Sequence, residues 1–139
     1  GKDDLPEDYR RDAVDEIDDS INNAAMFYPL IDFIGNPNVL YACFDKEDFD
    51  GRTDEFFSRY DLTKNINNCD IPQFIAHGTR DVLVSPDASE KYAGLLKSDG
   101  EDAEFVIVPG ANHCFTHQKK YAYAFEQYLD WVCKKFEKR

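Results

Sequence analysis

Two short apolar segments, each followed directly by residues of catalytic type, constrain the fold of this chain most strongly. Residues 74–76 (FIA) precede the run HGTRDVLV at 77–84, and residues 105–108 (FVIV) precede NHCF at 112–115. Apolar runs of this length, bounded by Gly and Pro, are typical of buried parallel strands. Because loops at the carboxyl ends of parallel strands meet at one edge of the sheet, Asp81 and His113 are predicted to lie close together.

A carboxylate and an imidazole at such an edge can serve as the acid and the base of a catalytic triad. Asp81 would accept a hydrogen bond from Nδ1 of His113 and stabilise the imidazolium, which leaves Nε2 to take a proton from a hydroxyl. In the alternative interpretation, Asp81 is a turn carboxylate and His113 a loop histidine, and neither takes part in catalysis. The pattern supplies an acid and a base but not their nucleophile.

Four segments of the chain, taken in order, resemble the α/β-hydrolases, and more narrowly their esterase and prolyl-oligopeptidase-like branches. Residues 24–32 (AAMFYPLID) are similar to the family's strand after the nucleophile helix, and residues 70–84 (DIPQFIAHGTRDVLV) to the strand and loop of the triad acid. Residues 108–115 (VPGANHCF) are similar to the loop of the triad histidine, and residues 131–136 (WVCKKF) to the closing helix. The resemblance implies that Asp81 is the triad acid and His113 the triad base.

The chain departs from this family at the nucleophile. The family carries its serine on a Gly-x-Ser-x-Gly elbow that precedes the acid, and no such motif occurs here. Only Ser20 and Ser58 precede Asp81, and neither has the flanking glycines that a strained elbow requires. The oxyanion hole, which uses the residue after the nucleophile, would be missing too. We therefore expect residues 1–139 to be the C-terminal part of a single α/β-hydrolase domain, with the nucleophilic serine outside the chain.

The order of the apolar segments predicts the α/β class, a partial α/β-hydrolase fold of about three parallel strands with flanking helices. The strands are expected at about 23–29, 74–76 and 103–108, because helical crossovers link parallel neighbours. One helix is predicted to begin at Pro86, with Ser85 as its N-cap, and to end near Gly100. A final helix from about 116 to 137 carries an apolar stripe of Tyr121, Phe125, Tyr128, Leu129, Val132 and Phe136.

The segment at 33–70 is too long for a simple strand-to-helix link, which predicts an excursion inserted after the first strand. The family resemblance implies that this excursion acts as a lid or a substrate wall. A packing connection without substrate contact is an equal alternative, since connecting segments generally lie on the surface. The acidic residues 1–20 are expected to form a solvated segment with some helix.

The remaining histidines and cysteines have structural interpretations. His77 is predicted to be hydrogen-bonded beneath the acid loop, and His117 to be a capping or exposed residue. Cys114 adjoins His113, but neighbouring side chains on a loop usually point apart, so a catalytic Cys114 is not expected. The four cysteines show no Cys-x-x-Cys spacing, which argues against a zinc site and favours reduced thiols in an intracellular protein. No metal or other cofactor is expected.

The charge of the chain limits its partners. A net charge of -12 argues against nucleic acid, because binding to phosphates requires clustered Lys and Arg. The same charge disfavours anionic membrane surfaces, and no apolar stretch reaches the roughly 20 residues of a spanning helix. If neighbouring strands lie outside the chain, one sheet edge is unpaired. The isolated chain is then expected to self-associate or to pair with an N-terminal half.

These observations lead to one functional hypothesis and one alternative. The chain is expected to be the C-terminal portion of a serine hydrolase that cleaves small-molecule carboxylic esters by acyl-enzyme chemistry, with Asp81 and His113 as its acid and base. The alternative is a non-catalytic interaction or regulatory domain on the same fold, since a fold alone does not establish activity. An elbow serine encoded directly upstream would favour the enzyme, and a natural start near Gly1 would favour the binding domain.

Overall fold

A parallel sheet of three strands forms the centre of the structure, a computed structural model that describes residues 21–36, 39, 42, 44, 53–66, 70–115 and 119–136. The strands lie side by side in the order β1 (Ala24–Phe27), β2 (Gln73–Gly78) and β3 (Ala103–Val108). Both pairings are parallel, with Ala24 opposite Gln73 and Gln73 opposite Ala103. The predicted α/β class with three parallel strands is confirmed.

The third strand spans the predicted residues 103–108, whereas the bounds of the other two strands differ from the prediction. Strand β2 is longer than the predicted 74–76, since it also includes Gln73, His77 and Gly78. The prediction of 23–29 for the first strand is wrong at its end, because Tyr28 adopts a left-handed conformation (φ 49°) that turns the chain out of the strand. The N–H of Tyr28 still donates to the carbonyl of Ala76 (2.7 Å), which ties this turn to β2.

Two helices pack against the sheet, α2 (Pro86–Ser98) and α3 (Tyr123–Phe136), while the short α1 (Thr53–Ser58) lies in the connection from β1 to β2. Helix α2 begins as predicted. The Ser85 side chain accepts a hydrogen bond from the N–H of Asp87 (3.2 Å), and Gly100 follows the helix with φ 87°. These local signals explain why both of its ends could be placed from the sequence.

Alternating side chains of β2 enter two different hydrophobic clusters, because successive residues of a strand point to opposite faces of the sheet. Phe74 and Ala76 pack in the cluster that includes residues of α3, whereas Ile75 packs with Tyr92 and Leu96 of α2. All six residues of β2 are buried. The central strand is therefore covered on both faces, as its unbroken apolar run predicts.

Helix α3 contacts the sheet through aromatic side chains. Phe125 stacks on Phe27 with ring centroids 4.3 Å apart, and Tyr128 and Trp131 contact Phe74 at 5.5 and 5.8 Å. Leu129 is 59% exposed, so the prediction that it belongs to the buried stripe is wrong. The helix also begins at Tyr123 and not near 116. A 3-10 turn at Lys119–Tyr121 precedes it.

The connection from β1 to β2 contains helical turns of its own, α1 and a 3-10 helix at Leu62–Lys64. It packs closely on the domain, since Leu62 N donates to the carbonyl of Ile31 (3.1 Å) and the buried Phe57 contacts the ring of Phe33. Its role as a lid stays a prediction. The predictions for residues 1–20 and for Cys43, Cys69 and His117 concern positions outside the described residues. None of the helices described is long and apolar enough to cross a membrane.

Candidate active site

Two loops at the carboxyl edge of the sheet bring Asp81 and His113 together. The acid loop (residues 79–84) follows β2, and the histidine loop (residues 109–115) follows β3. Backbone hydrogen bonds join the two loops directly. Thr79 N donates to the carbonyl of Val108 (3.1 Å), and Arg80 N donates to the carbonyl of Ala111 (2.8 Å). The sheet thus continues as a backbone ladder into the site, which limits independent movement of the two loops.

Gly78 permits this close approach of the two loops. A Cβ atom at Gly78 would lie 2.4 Å from the carbonyl oxygen of Ala111, well inside van der Waals contact. The Thr79 hydroxyl oxygen adds a further tie by accepting a hydrogen bond from Gly110 N (2.8 Å). No role for Gly78 was predicted from the sequence. A glycine that directly ends a buried strand is the signal that could have identified it.

The histidine loop is also held from below by the turn that precedes α3. Tyr121 is buried, and its hydroxyl donates to the carbonyl of Gly110 (2.6 Å). Gly110 itself has φ 74°, a conformation that glycine adopts without steric cost. The turn that presents His113 is therefore fixed by β3, by the acid loop and by the segment before α3.

The carboxylate of Asp81 is buried and accepts four hydrogen bonds. Its Oδ1 accepts from the backbone N–H groups of Leu83 and Val84, both at 3.0 Å. Its Oδ2 lies 2.7 Å from Nδ1 of His113 and 3.1 Å from Nε2 of His77. Burial on its own would raise the pKa of Asp81, but the donors from Val84, His113 and Leu83 outweigh it and hold the pKa below its usual value. Asp81 is thus an anion at neutral pH.

His113 faces outward from this carboxylate. Its side chain is 27% exposed, and its Nε2 forms no hydrogen bond with any of the described residues. The ring of Tyr28 packs against it with centroids 4.9 Å apart. Because Nδ1 must donate to the anionic Asp81, Nε2 of the neutral imidazole carries the lone pair. This geometry suits a base that takes a proton from a group bound at the surface.

The comparisons with known proteins agree with this arrangement of strands and loops. Residues 35–139 match the model of the prolyl oligopeptidase family. The chain belongs to the prolyl oligopeptidase family. The resemblance to α/β-hydrolases of the esterase and prolyl-oligopeptidase-like branches is thereby confirmed. Among curated proteins, none matches the chain.

Solved structures of an esterase from the Planctomycetes species Thermogutta terrifontis share the fold. The butyrate-bound form has a TM-score of 0.66 and 20% sequence identity, and the match covers 95% of this chain and 50% of that one. The form phosphonylated by sarin has a TM-score of 0.62 and 22% identity, covering 83% of this chain and 44% of that one. At this identity the likeness shows the fold alone. The chain spans about half the length of these structures.

The serines that are described in this prolyl oligopeptidase family member all have partners other than His113. The hydroxyls of Ser58 and Ser98 donate to backbone carbonyls one helical turn earlier, and Ser85 caps α2. Ser89 is fully buried beside His77. Ser20 lies outside the described residues. Within the part of the chain that the structure describes, none of these serine hydroxyls contacts His113.

His77 and Cys114 also make contacts at the site. His77 is hydrogen-bonded beneath the acid loop, as predicted, but it contacts the same carboxylate oxygen as His113. Cys114 has a positive φ of 54° and hydrogen-bonds to the side chain of Tyr28. Burial, followed by the proximity of Cys114, raises the pKa of Tyr28.

Among the described residues, no group of three His, Cys, Asp or Glu side chains could hold a metal ion.

A cleft of about 470 Å³ opens between the two loops and the turn before α3. Its walls come from both loops and from the turn before α3, and comprise Arg80, Val82, Gly110, Asn112, Lys120 and Tyr121. Arg80 and Asn112 directly adjoin Asp81 and His113 in the chain. The cleft has room for a small molecule and carries two cationic side chains, but neither Asp81 nor His113 is among its lining residues.

Proposed function

We propose that this chain supplies the acid and the base of a serine hydrolase that cleaves carboxylic esters of small molecules through an acyl-enzyme. Asp81 orients His113, and His113 transfers the proton. The observation that carries the proposal is the 2.7 Å contact between Oδ2 of the buried, anionic Asp81 and Nδ1 of the partly exposed His113. This contact matches the requirement of a triad, in which the acid holds the base in one tautomer and stabilises its protonated form.

In the proposed reaction, a serine outside these 139 residues attacks the ester carbonyl while Nε2 of His113 takes its proton. The imidazolium that forms is stabilised by Asp81, which stays ionised. His113 then gives the proton to the departing alkoxide, so that the alcohol leaves and the acyl group remains on the serine. Water repeats the sequence with the same base, which releases the carboxylic acid and restores the serine hydroxyl.

The preference for esters over peptides draws on the solved structures that share the fold. Those structures are of a Thermogutta terrifontis esterase, with butyrate bound in one case and phosphonylated by sarin in another. Because the chain spans about half their length, we infer that residues 1–139 form the C-terminal part of one α/β-hydrolase domain. The excursion at 33–70 would border the substrate in that domain.

A non-catalytic interaction domain is the second candidate function. The observation that favours it is the position of the described serines, none of which contacts His113. Under this alternative, the four hydrogen bonds to Asp81 serve only to hold the acid loop in place. The two candidates differ in whether a reactive serine exists in the complete gene product.

Labelling with a fluorophosphonate probe tests the proposal. The probe is applied to the isolated 139-residue chain and to the complete gene product that contains it, and labelled peptides are mapped. We expect no adduct on the isolated chain and a stoichiometric adduct on one serine of the complete product. An adduct on a serine within the chain would show that the nucleophile is internal. No adduct in either sample would support the non-catalytic domain.

Substitution of the pair sharpens this test in the complete gene product. For p-nitrophenyl butyrate hydrolysis, Asp81→Asn should lower kcat by about 10⁴-fold and His113→Gln by about 10⁶-fold, since loss of the tautomer and removal of the base have these effects in a triad. Asp130→Asn is the matched control, because Asp130 is exposed on α3 and away from both loops. Equal activity of the wild type and the two variants of the pair would overturn the assignment.

A further inference from the structure

His77 forms the second contact to Oδ2 of Asp81, and its side chain is fully buried. Its Nε2 lies 3.1 Å from that oxygen and 3.2 Å from the backbone carbonyl of Val84, and its Nδ1 lies 2.8 Å from the hydroxyl of Ser89 on α2. Every polar atom of the ring therefore has a partner. The alternation of side chains along β2 explains the contact with α2, because His77 follows Ile75 onto the face that α2 covers.

The chemistry of these partners determines where the proton of His77 lies. A backbone carbonyl and an ionised carboxylate can only accept, so Nε2 must carry the hydrogen. Nδ1 could then either donate to Ser89 or accept from it. Burial lowers the pKa of His77, with the charge of Asp81 opposing this in part, and the ring is therefore neutral at neutral pH. Neutral His77 accepts from the Ser89 hydroxyl at Nδ1.

The hydrogen bonds of Ser89, His77 and His113 all lead toward the carboxylate of Asp81, which accepts from both histidines. The Ser89 hydroxyl donates to His77, His77 donates to Oδ2 of Asp81, and Nδ1 of His113 donates to the same oxygen from the other side. With the backbone donors on Oδ1, all of the roughly four acceptor positions of the carboxylate are filled. Asp81 can neither rotate nor take up another donor without breaking one of these bonds.

We propose that His77, anchored by Ser89, is a positioning residue that fixes Oδ2 of Asp81 and thereby holds His113 with its proton on Nδ1. The consequence for catalysis rests on the proposed function, whereas the hydrogen-bond arrangement does not. His77 is also a second neutral donor to Oδ2, and its hydrogen bond helps to keep this buried carboxylate ionised without a cation. Ser89 takes part only through His77.

The proton positions are tested directly in the isolated chain by long-range ¹H–¹⁵N correlation spectra at neutral pH, after labelling the histidines with ¹⁵N. A His117→Gln background removes the signals of the third histidine. We expect His77 as the Nε2–H tautomer and His113 as the Nδ1–H tautomer. A proton on Nδ1 of neutral His77, or on Nε2 of neutral His113, would overturn the proposal. This measurement requires neither a substitution in the network nor enzymatic activity.

The dependence of His113 on Ser89 is tested by Ser89→Ala, with Ser98→Ala as the matched control. Ser98 is exposed at the end of α2, and its hydroxyl donates to the carbonyl of Leu95 in the same helix. We expect Ser89→Ala to shift and broaden the Nδ1–H resonance of His113 and Ser98→Ala to leave it unchanged. A merely structural Ser89 would lower the unfolding temperature without moving that resonance, and this outcome would contradict the proposal.

Kinetic measurements on the complete gene product distinguish the positioning role of His77 and Ser89 from the proposed hydrolase activity. If the product hydrolyses esters, Ser89→Ala should lower kcat about tenfold at unchanged KM, since one supporting hydrogen bond is lost. An unchanged kcat in an active enzyme would refute the positioning role and leave the hydrolase proposal intact. If the wild-type product has no activity, the hydrolase proposal fails, and the tautomers and the Nδ1–H resonance decide the positioning role alone.

Discussion

His77 and His113 donate to the same oxygen of Asp81, yet they lie in very different surroundings. The side chain of His77 is 0% exposed and has partners at both ring nitrogens, whereas that of His113 is 27% exposed and uses one nitrogen within the described residues. His77 belongs to β2 and faces α2. His113 lies on a loop, beside the ring of Tyr28.

The contrast shows how one carboxylate can serve two purposes. On the buried side, every donor and acceptor is satisfied, which makes that side rigid and leaves no nitrogen for chemistry. On the exposed side, one ring nitrogen is left for a substrate or a nucleophile. A histidine that is fully satisfied can position a base, and a histidine that is partly satisfied can act as one.

The largest expected effect comes from separating the two loops with Gly78→Ala. The added Cβ would meet the carbonyl oxygen of Ala111 at 2.4 Å, so the histidine loop must move away from β2. We expect a loss of about 3 kcal/mol in the free energy of unfolding, measured with denaturant. In NMR spectra, the Nδ1–H signal of His113 should be lost while the Nε2–H signal of His77 remains.

Gly94→Ala provides the control for this substitution. Gly94 lies in α2, and a Cβ atom added there would have no other atom within 4 Å, so alanine should stabilise the helix by about 0.7 kcal/mol. Equal stability of Gly78→Ala and the wild type would contradict the close approach of the two loops.

Replacing each histidine by Phe measures the difference between the two sides directly. His77→Phe leaves a buried Ser89 hydroxyl and one acceptor position of Asp81 without partners, which should cost about 2 kcal/mol of unfolding free energy. His113→Phe should cost less than about 1 kcal/mol, because water can reach the vacated side of Asp81. Thermal and denaturant unfolding of both variants provide the measurement. A larger loss for His113→Phe would reverse the comparison.

The last expected effect is the pH dependence that His77 contributes to the free energy of unfolding. Because the pKa of His77 is lowered by folding, the unfolded chain binds more protons than the folded chain below its ordinary pKa of about 6.5. The contribution of neutral His77 to the free energy of unfolding is therefore complete above that pH. It decreases as the pH falls, by no more than about 1.4 kcal/mol per pH unit. The lowered pKa values of Asp61 and Asp81 act in the same direction, but only near and below about pH 4.

Unfolding measured between pH 7 and pH 5 isolates the contribution of His77. We expect the wild type and His113→Phe to lose stability over this interval, and His77→Phe to show a flatter dependence. A dependence that disappears in His113→Phe and persists in His77→Phe would assign it to the exposed side instead.

Much of the fold follows from local signals in the chain. The unbroken apolar run of β2, the N-cap at Ser85 and the stop at Gly100 each act within a few residues, so their effects can be predicted without tertiary information. The proximity of Asp81 and His113 follows from one topological rule, that the ends of parallel strands converge. Their catalytic roles stay a prediction until a nucleophile is found.

Other features depend on contacts that no local pattern encodes. The left-handed turns at Tyr28 and Cys114 run against the usual preference of residues with a Cβ atom, and surrounding contacts must stabilise them. Leu129 is exposed because of the rotation of α3 about its own axis, which decides which side chains face the sheet. The early start predicted for the final helix failed because a 3-10 turn, anchored by Tyr121, intervenes.

The sequence by itself determined the class of the fold, the succession of its strands and helices along the chain, and the proximity of Asp81 and His113 at one edge of the sheet. Periodicity, caps and strand order are sufficient for these, since each acts locally or through topology. Only the tertiary structure decided that His77 and His113 both donate to one carboxylate and that Ser89 bonds to His77. Hydrogen bonds require separations near 3 Å, and four segments of the chain reach them only once β2, β3 and α2 have packed.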